Sequence, residues 1–403
     1  MKIVMVSNFM NHHQLPFSQE LWKRADTEYR FVALEPIPQE RLAMGYEDMN
    51  HRYPHVLCAY DSAETMRQAE RLIDGADVAI FGSCPDTMIA GRTEKGKLCI
   101  KFCERYFRNG TEFPHTVRNF VSARRHIRPF ENSSLYCCCC SAYAAADLNR
   151  YADFGGKTFK WGYFPRTVRY DEDALMEKKG FPELDGKRPL SASVLWAGRL
   201  VPWKHPETAI ELAAFLKDRG YSFRLRMIGN GKLENRLRKM TEEKNLSDCV
   251  EMTGAMPPEQ VRANMEKADI FLFTSDFREG WGAVLNEAMN SGCAVVASHA
   301  AGAVPFLIKD GENGLIYESG NLTQFQSRVC GLLDDPDGRR RIGRNAYRTI
   351  AETWNAEVAA DRFVALAERL KEGGDAENLF ESGPCSRAEI WDDGWYHDYG
   401  TKP

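Results

Sequence analysis

At 403 residues, with 43% hydrophobic and 27% charged side chains, the chain is long enough for two domains with sizeable cores and has an ordinary globular composition. A formal net charge of −4 argues against a dedicated nucleic-acid binder, which would carry a strongly basic domain. The opening MKIVMVSNFMNHHQLPF lacks the long apolar core and small-residue cleavage site of a signal peptide. No apolar run approaches membrane-spanning length, so cytoplasmic residence is the expectation.

In chain order, KIVMVSN (2–8) predicts a strand, followed by a helix to about Arg24. RFVALEP (30–36), HVLCAY (55–60), DVAIFGS (77–83), KLCIKFC (97–103) and LYCCCCS (135–141) predict further strands. Helical patterns over 62–76 and 116–127 separate some of them. Such alternation implies a parallel sheet with helices on both faces. The run Cys137 to Cys140 is not a metal site in a strand, because successive side chains point to opposite faces. Cysteine is a small hydrophobe, so the run predicts a strand buried on both sides.

Residues 166–190 are polar, charged and proline-punctuated, as a linker would be. A second alternation then begins with SVLWAG (193–198), RLRMIG (224–229), VEMTGA (250–255), DIFLFTS (269–275), CAVVAS (293–298) and GLIYE (314–318). Helices fill 321 to about 371, the last of them (354–372) expected to cross back to the first domain, and a polar, aromatic-containing tail runs over 373–403. The expected architecture is two Rossmann-like doubly wound α/β domains, 1–165 and 191–353, facing a central cleft. Ligands of such sheets bind beyond the carboxyl ends of the strands.

Three of those loops in the second domain carry unusual residues. The first, GRLVPWK (198–204), offers the cations Arg199 and Lys204. The second, Gly229-Asn230-Gly231, has glycines that would let a backbone approach a ligand closely. The third is FREGWGAVLNEAM (277–289). Gly280 and Gly282 keep Glu279 in the loop, and a helix is expected to begin near Ala283, with Val284 and Leu285 in its first turn. Its free N–H groups favour an anion such as a diphosphate. Glu287, one turn in, suits a ribose, whose paired hydroxyls a carboxylate can grip. Glu279 would face a second polyhydroxy group. Sugar, diphosphate and ribose in a row describe a nucleotide sugar.

Taken together, GRLVPWKH, IGNG, TGAMPPEQV, FTSDFREGWGAVLNEAM and SGCAVVAS, in this order, resemble the family 4 glycosyltransferases of the GT-B fold, of the bacterial polysaccharide type. The resemblance covers roughly 190–320. It implies that Arg199 and Lys204, beside Gly198, hold the diphosphate, and that Glu287 holds the ribose. Glu279 and the backbone of Gly280, Trp281 and Gly282 would contact the donor sugar, with Gly229 and Asn230 lining the donor site. The segment around Gly254 and Met256 would hold the base. It further implies transfer without a metal or other cofactor, with retention of configuration expected. Fixed cations and a helix N-terminus then stabilise the charge that grows on the leaving phosphate.

The first domain says less. Its first loop, NFMNHHQ (8–14), lacks a G-x-G-x-x-G turn, which counts against a nicotinamide enzyme. NHHQLPF and WGYFP (161–165) are similar to a subset of bacterial polysaccharide-type transferases, which places His12 and His13 at the cleft. Exposed imidazoles in a helix-start loop are the plainer alternative. Glu104 stands where the family presents a polar residue, often histidine, to the reacting sugar; a surface ion pair is the alternative. Arg118, Arg124, Arg125, His126 and Arg128 share a helical pattern with Val117, Phe120, Val121 and Ile127. Such a helix could rest on the inner face of a membrane and reach a lipid-linked acceptor, or simply pack as a solvated helix. The leading expectation is a transferase moving sugar from a nucleoside-diphosphate sugar to a glycan or lipid-linked acceptor. A nucleotide-sugar 2-epimerase of the same fold and a non-catalytic nucleotide-sugar-binding protein stay open beside it.

Overall fold

The structure, a computed structural model, describes residues 1–39, 42, 47–110, 113–180 and 192–396. The chain divides into two compact units, Met1–Arg166 with Asn355–Asp392, and Thr167–Trp354 with Asp393–Pro403.

The first unit is built on seven strands: β1 (Lys2–Ser7), β2 (Glu28–Ala33), β3 (Val56–Cys58), β4 (Val78–Phe81), β5 (Cys99–Cys103), β6 (Leu135–Cys139) and β7 (Thr158–Lys160). They pair in the order β3-β2-β1-β4-β5-β6-β7, every pair parallel. Cys137 to Cys140 are at most 3% exposed, so the first three cysteines do lie in a strand covered on both faces, with Cys140 just past its end, and the thiols form no disulfide.

The strand expected over 55–60 shortens to Val56–Cys58, because Ala59–Asp61 winds into a 3-10 turn. That turn delivers Ser62 to the N-terminus of the helix Ala63–Gly75, where its hydroxyl accepts from the Thr65 N–H at 3.1 Å. Strand β7 is too short to show in the sequence pattern. Its outer edge is covered by the tail, with Cys385 N donating to Lys160 O at 2.8 Å and Ala388 N to Thr158 O at 3.0 Å. This pairing satisfies an edge that would otherwise be open. The helix Ala356–Lys371 sets Phe363 against Phe17 (5.6 Å between ring centres) and Trp161 (5.8 Å).

The second unit holds six strands: β8 (Ala192–Ala197), β9 (Phe223–Ile228), β10 (Val250–Gly254), β11 (Ile270–Phe273), β12 (Ala294–Ser298) and β13 (Leu315–Tyr317). Their order is β10-β9-β8-β11-β12-β13, again parallel throughout. Residues 167–180 of the expected linker pack into this unit. Asp171 caps a helix, Glu172–Glu177, whose Leu175 and Met176 are buried against Tyr347 and Ala351. The remainder of that linker, 181–190, lies outside the described residues, as does the tail from 397 onward.

Candidate active site

In each sheet the strand order reverses once, between β1 and β4 and between β8 and β11. Loops leaving two strands on either side of a reversal diverge to opposite faces and open a crevice at their carboxyl ends. The unusual residues of this chain lie at those two places.

At the β8–β11 reversal, Lys204 from the loop after β8 donates a short hydrogen bond to the Glu279 carboxylate from the loop after β11. The two side chains are only 12% and 16% exposed. Ser275 Oγ also donates to Glu279, at 3.2 Å. Backbone bonds tie the same loops together, Asp276 N donating to Trp203 O at 2.9 Å and Thr274 Oγ1 to Lys204 O at 2.6 Å. Gly198 makes room for the lysine stem, since a Cβ there would lie 3.2 Å from Lys204 Cδ. Arg199 is exposed, with its guanidinium 5.5 Å from the centre of the Trp203 ring. The cation pair read from the sequence thus separates into one half-buried, paired lysine and one arginine open to solvent.

The glycines of the loop after β9 have a packing cause beside the one expected. A Cβ on Gly229 would lie 1.8 Å from Gly198 O, and one on Gly231 2.5 Å from Leu200 O. The neighbouring loop therefore lies where a side chain at either position would sit. Leu200 N donates to Asn230 O at 2.8 Å and Gly229 N to Gly254 O at 2.8 Å, so three loops are stitched into one rim. Met256, half-buried, stands beside Asn264, with 3.6 Å between its sulfur and Nδ2.

The loop after β11 leads to a short helix, Val284–Asn290, with Ala283 before it and Leu285 fully buried. The Trp281 indole belongs to the core, 1% exposed, with Nε1 donating to Asn286 Oδ1 at 2.8 Å and the ring 5.9 Å from Trp354. Gly282 has φ +90°, and a Cβ there would meet Phe273 Cζ at 2.4 Å, so glycine is required for the turn to clear the aromatic ring. Glu287 sits half-buried on the helix, and burial raises its pKa, partly offset by the nearby Arg262.

One residue of this rim was not assigned a role from the sequence. His205 holds φ +45°, with Nε2 3.2 Å from Asp276 Oδ2 and Nδ1 3.3 Å from Glu207 Oε1. Hydrogen bonds to Asp276 and then Glu207 raise its pKa to about 9. Its only signal in the sequence was its place directly after Lys204.

At the β1–β4 reversal the first unit has a cavity of about 430 Å³. Its apolar lining comes from Phe17, Phe102, Trp161 and Phe164, and its polar lining includes His13, Ser83, Lys101, Glu104, Arg108 and Tyr163. Tyr163 donates a short hydrogen bond to Glu104, which also pairs with Arg108. Lys101 lies 3.2 Å from Asp86. The His13 ring stacks on Tyr163 at 5.2 Å. His12 contacts the His13 ring at 3.7 Å but lines a separate small depression with Phe9 and Ile37. Arg105, beside Glu104, is 5% exposed, 3.7 Å from Asp147 and over the Tyr143 ring.

Two all-parallel sheets, each with polar groups gathered at its reversal, define the GT-B class of fold. Among solved structures, the Anabaena Alr3699/HepE protein in complex with UDP superposes with a TM-score of 0.65 at 16% identity, over 92% of this chain and 100% of that one. Residues 182–349 match the family described as Glycosyl transferases group 1. Curated relatives include the D-inositol 3-phosphate glycosyltransferase of Corynebacterium glutamicum (strain R), 32% identical over 42% of each chain. Another is the amylovoran biosynthesis glycosyltransferase AmsK of Erwinia amylovora, 29% identical over 44% of each. The chain spans about half the length of the curated relatives it matches. Among the described residues, no helix is long and apolar enough to cross a membrane.

Proposed function

We propose that this protein is a glycosyltransferase that moves a sugar from a nucleoside-diphosphate sugar to a glycan or lipid-linked acceptor. The observation that carries the reading is the Lys204–Glu279 pair at the reversal of a sheet in a group 1 glycosyltransferase domain. A diphosphate entering that rim exchanges for Glu279 as the partner of Lys204, and Arg199 closes from the solvent side. The freed Glu279 carboxylate then meets sugar hydroxyls. Cations so placed stabilise the phosphate charge that develops as the glycosidic bond breaks. Glu287 grips the ribose, Gly254 and Met256 border the base, and Val284 and Leu285 present backbone N–H groups to the phosphates.

One structural neighbour, Anabaena Alr3699/HepE, supports the donor class through its complexes with UDP and with UDP-glucose. The first-unit cavity, with its aromatic lining and its Glu104, Arg108 and Tyr163 cluster, takes the acceptor side. No metal takes part in the reading, because Lys204 and Arg199 supply the charge a divalent ion otherwise would. Turnover should therefore survive excess chelator. Retention of configuration and residence on the cytoplasmic side of a membrane complete the proposal. The 2-epimerase reading gains nothing from the relatives above, whose names are those of transferases.

A panel of nucleoside-diphosphate sugars, scored first by thermal stabilisation and then by transfer, tests the proposal. At ~100 times its dissociation constant the right donor stabilises by about 2.7 kcal/mol. No stabilisation by any donor, or stabilisation with conversion of the sugar to its 2-epimer, would overturn it.

A further inference from the structure

The helix His115–His126 presents an unusual surface. Its inner side is ordinary, with Asn119, Ala123 and, just past its end, Ile127 buried. On the opposite side Val117 is 64% exposed, Phe120 46% and Val121 60%, and Phe113 just before the helix is 85% exposed. Among the described residues these four make up most of the large hydrophobic side chains that the protein exposes, the others being Trp22 and Ile390. Within the helix, positions 117, 120 and 121 recur at the spacing that gathers side chains on one face, and Phe113 adds an exposed ring just before its start.

Charge accompanies the stripe. From Phe113 to Phe130 the sequence has four arginines, Arg118, Arg124, Arg125 and Arg128, and no aspartate or glutamate. All four arginines are exposed. This is against the grain of the molecule, whose formal net charge is −4. His126 is engaged elsewhere, 2.7 Å from Asp86, which anchors the helix to the unit without drawing on the arginines.

We propose that this face docks the protein on an anionic lipid surface, with Phe113, Val117, Phe120 and Val121 entering the headgroup–acyl boundary and the arginines meeting lipid phosphates. An amphipathic helix lying in the interface needs this combination, an apolar stripe for insertion and cations beside it for an anionic leaflet. Exposed apolar patches mark contact sites rather than water-facing surface, and four arginines with no acid between Phe113 and Phe130 favour an anionic lipid surface as the occupant. The docking would bring the first unit to a lipid-linked acceptor. To that extent it extends the transferase reading, but its test needs no turnover.

The test is co-sedimentation of the full chain with vesicles of phosphatidylglycerol and phosphatidylcholine mixed, and of phosphatidylcholine alone. The protein should sediment with the anionic vesicles and stay in solution with the neutral ones, and high salt should release it. Each cation near an anionic surface is worth roughly a factor of five in partitioning. R118Q/R124Q/R125Q should therefore bind about a hundredfold more weakly, and V117S/V121S at least tenfold more weakly. Both variants change only exposed side chains, so their melting temperatures and donor-induced stabilisation should match the parent. Absence of binding to anionic vesicles, or binding that both variants retain, overturns the proposal. A concentration-dependent dimer that V117S/V121S abolishes, with no vesicle binding, also overturns it and makes the face a self-interface. Failed vesicle binding alongside intact transfer would sink the docking alone, whereas vesicle binding without transfer would sink only the transferase reading.

Discussion

Lys204 and Glu279 come from loops 75 residues apart and share a short hydrogen bond at the point where the second sheet reverses its strand order. The pair resolves a difficulty that each residue alone would pose. A half-buried lysine waiting for a diphosphate would pay for its desolvation in the free protein, and so would a half-buried carboxylate waiting for a sugar. Held together, each neutralises the other until ligand arrives.

A prediction about the two glutamates follows from that pairing. On the proposed reading, Glu287→Ala removes a contact to the unreacting ribose, equal in ground and transition states. It should weaken nucleoside diphosphate binding roughly ten- to a hundredfold, as expected for a charge-assisted hydrogen bond of ~1.5–3 kcal/mol. Glu279→Ala removes the competitor for Lys204, so affinity for free nucleoside diphosphate should be kept or increased while turnover falls. Calorimetry on both variants, with turnover alongside, decides it. Loss of nucleotide affinity in Glu279→Ala but not in Glu287→Ala would reverse the two assignments.

Gly229 and Gly254 separate two reasons for needing glycine. Gly254 has φ +77° with nothing within 4 Å of a Cβ, whereas a Cβ on Gly229 would lie 1.8 Å from Gly198 O. Gly254→Ala should cost only the backbone penalty, about 1–2 kcal/mol. Gly229→Ala adds overpacking to strain and should cost at least ~3 kcal/mol. Thermal melts should rank the variants in that order, with a shift of ~2–4 °C per kcal/mol. Equal melting temperatures would mean the loops after β8 and β9 are not packed as described.

How much of this could be read in advance depended on range. The alternation of apolar runs with helical segments gave both parallel sheets, and the loops after β8, β9 and β11 stood out because each joins a buried strand to chemistry-bearing residues. The Lys204–Glu279 contact could not be read, since it requires knowing that β8 and β11 are neighbours. Nor could the cause of the IGNG glycines, which is a carbonyl from another loop. The cover over β7 was hidden for a related reason: its partner lies more than 200 residues away in a polar tail.

His205 predicts a pH dependence with a definite sign. Its folded pKa is raised from 6.5 to about 9 by Asp276 and Glu207. A cation favoured by folding contributes stability that is fully present below pH ~6.5 and is lost as pH rises through about 9. The side chain is 39% exposed, so solvent screening makes the contribution small. His205→Gly deletes it and at the same time relieves the φ +45° backbone, a strain of roughly 1–2 kcal/mol for a residue with a Cβ. The variant should therefore gain on the parent as pH rises from 6 to 10. Thermal melts across that range would show parallel curves if His205 were not charged in the folded state.

The last prediction concerns Glu104, for which a surface ion pair was an equal alternative. The structure sets it in the cavity of the first unit, accepting from Tyr163 and paired with Arg108. A bridge of purely structural value between half-exposed groups contributes less than ~1 kcal/mol, and its removal should leave turnover alone. A carboxylate that touches the acceptor or the reacting sugar behaves differently. Glu104→Gln preserves the shape and the Tyr163 hydrogen bond but removes the charge, and should lower kcat at least tenfold. Donor affinity, which the proposed reading assigns to the second unit, should not change. Tyr163→Phe frees one carboxylate oxygen to wander and should produce a smaller loss in the same direction. Steady-state kinetics with a transferring donor–acceptor pair, set beside nucleotide calorimetry, reads both effects. Full turnover in Glu104→Gln would return Glu104 to the role of a surface ion pair and leave the cavity without a catalytic carboxylate.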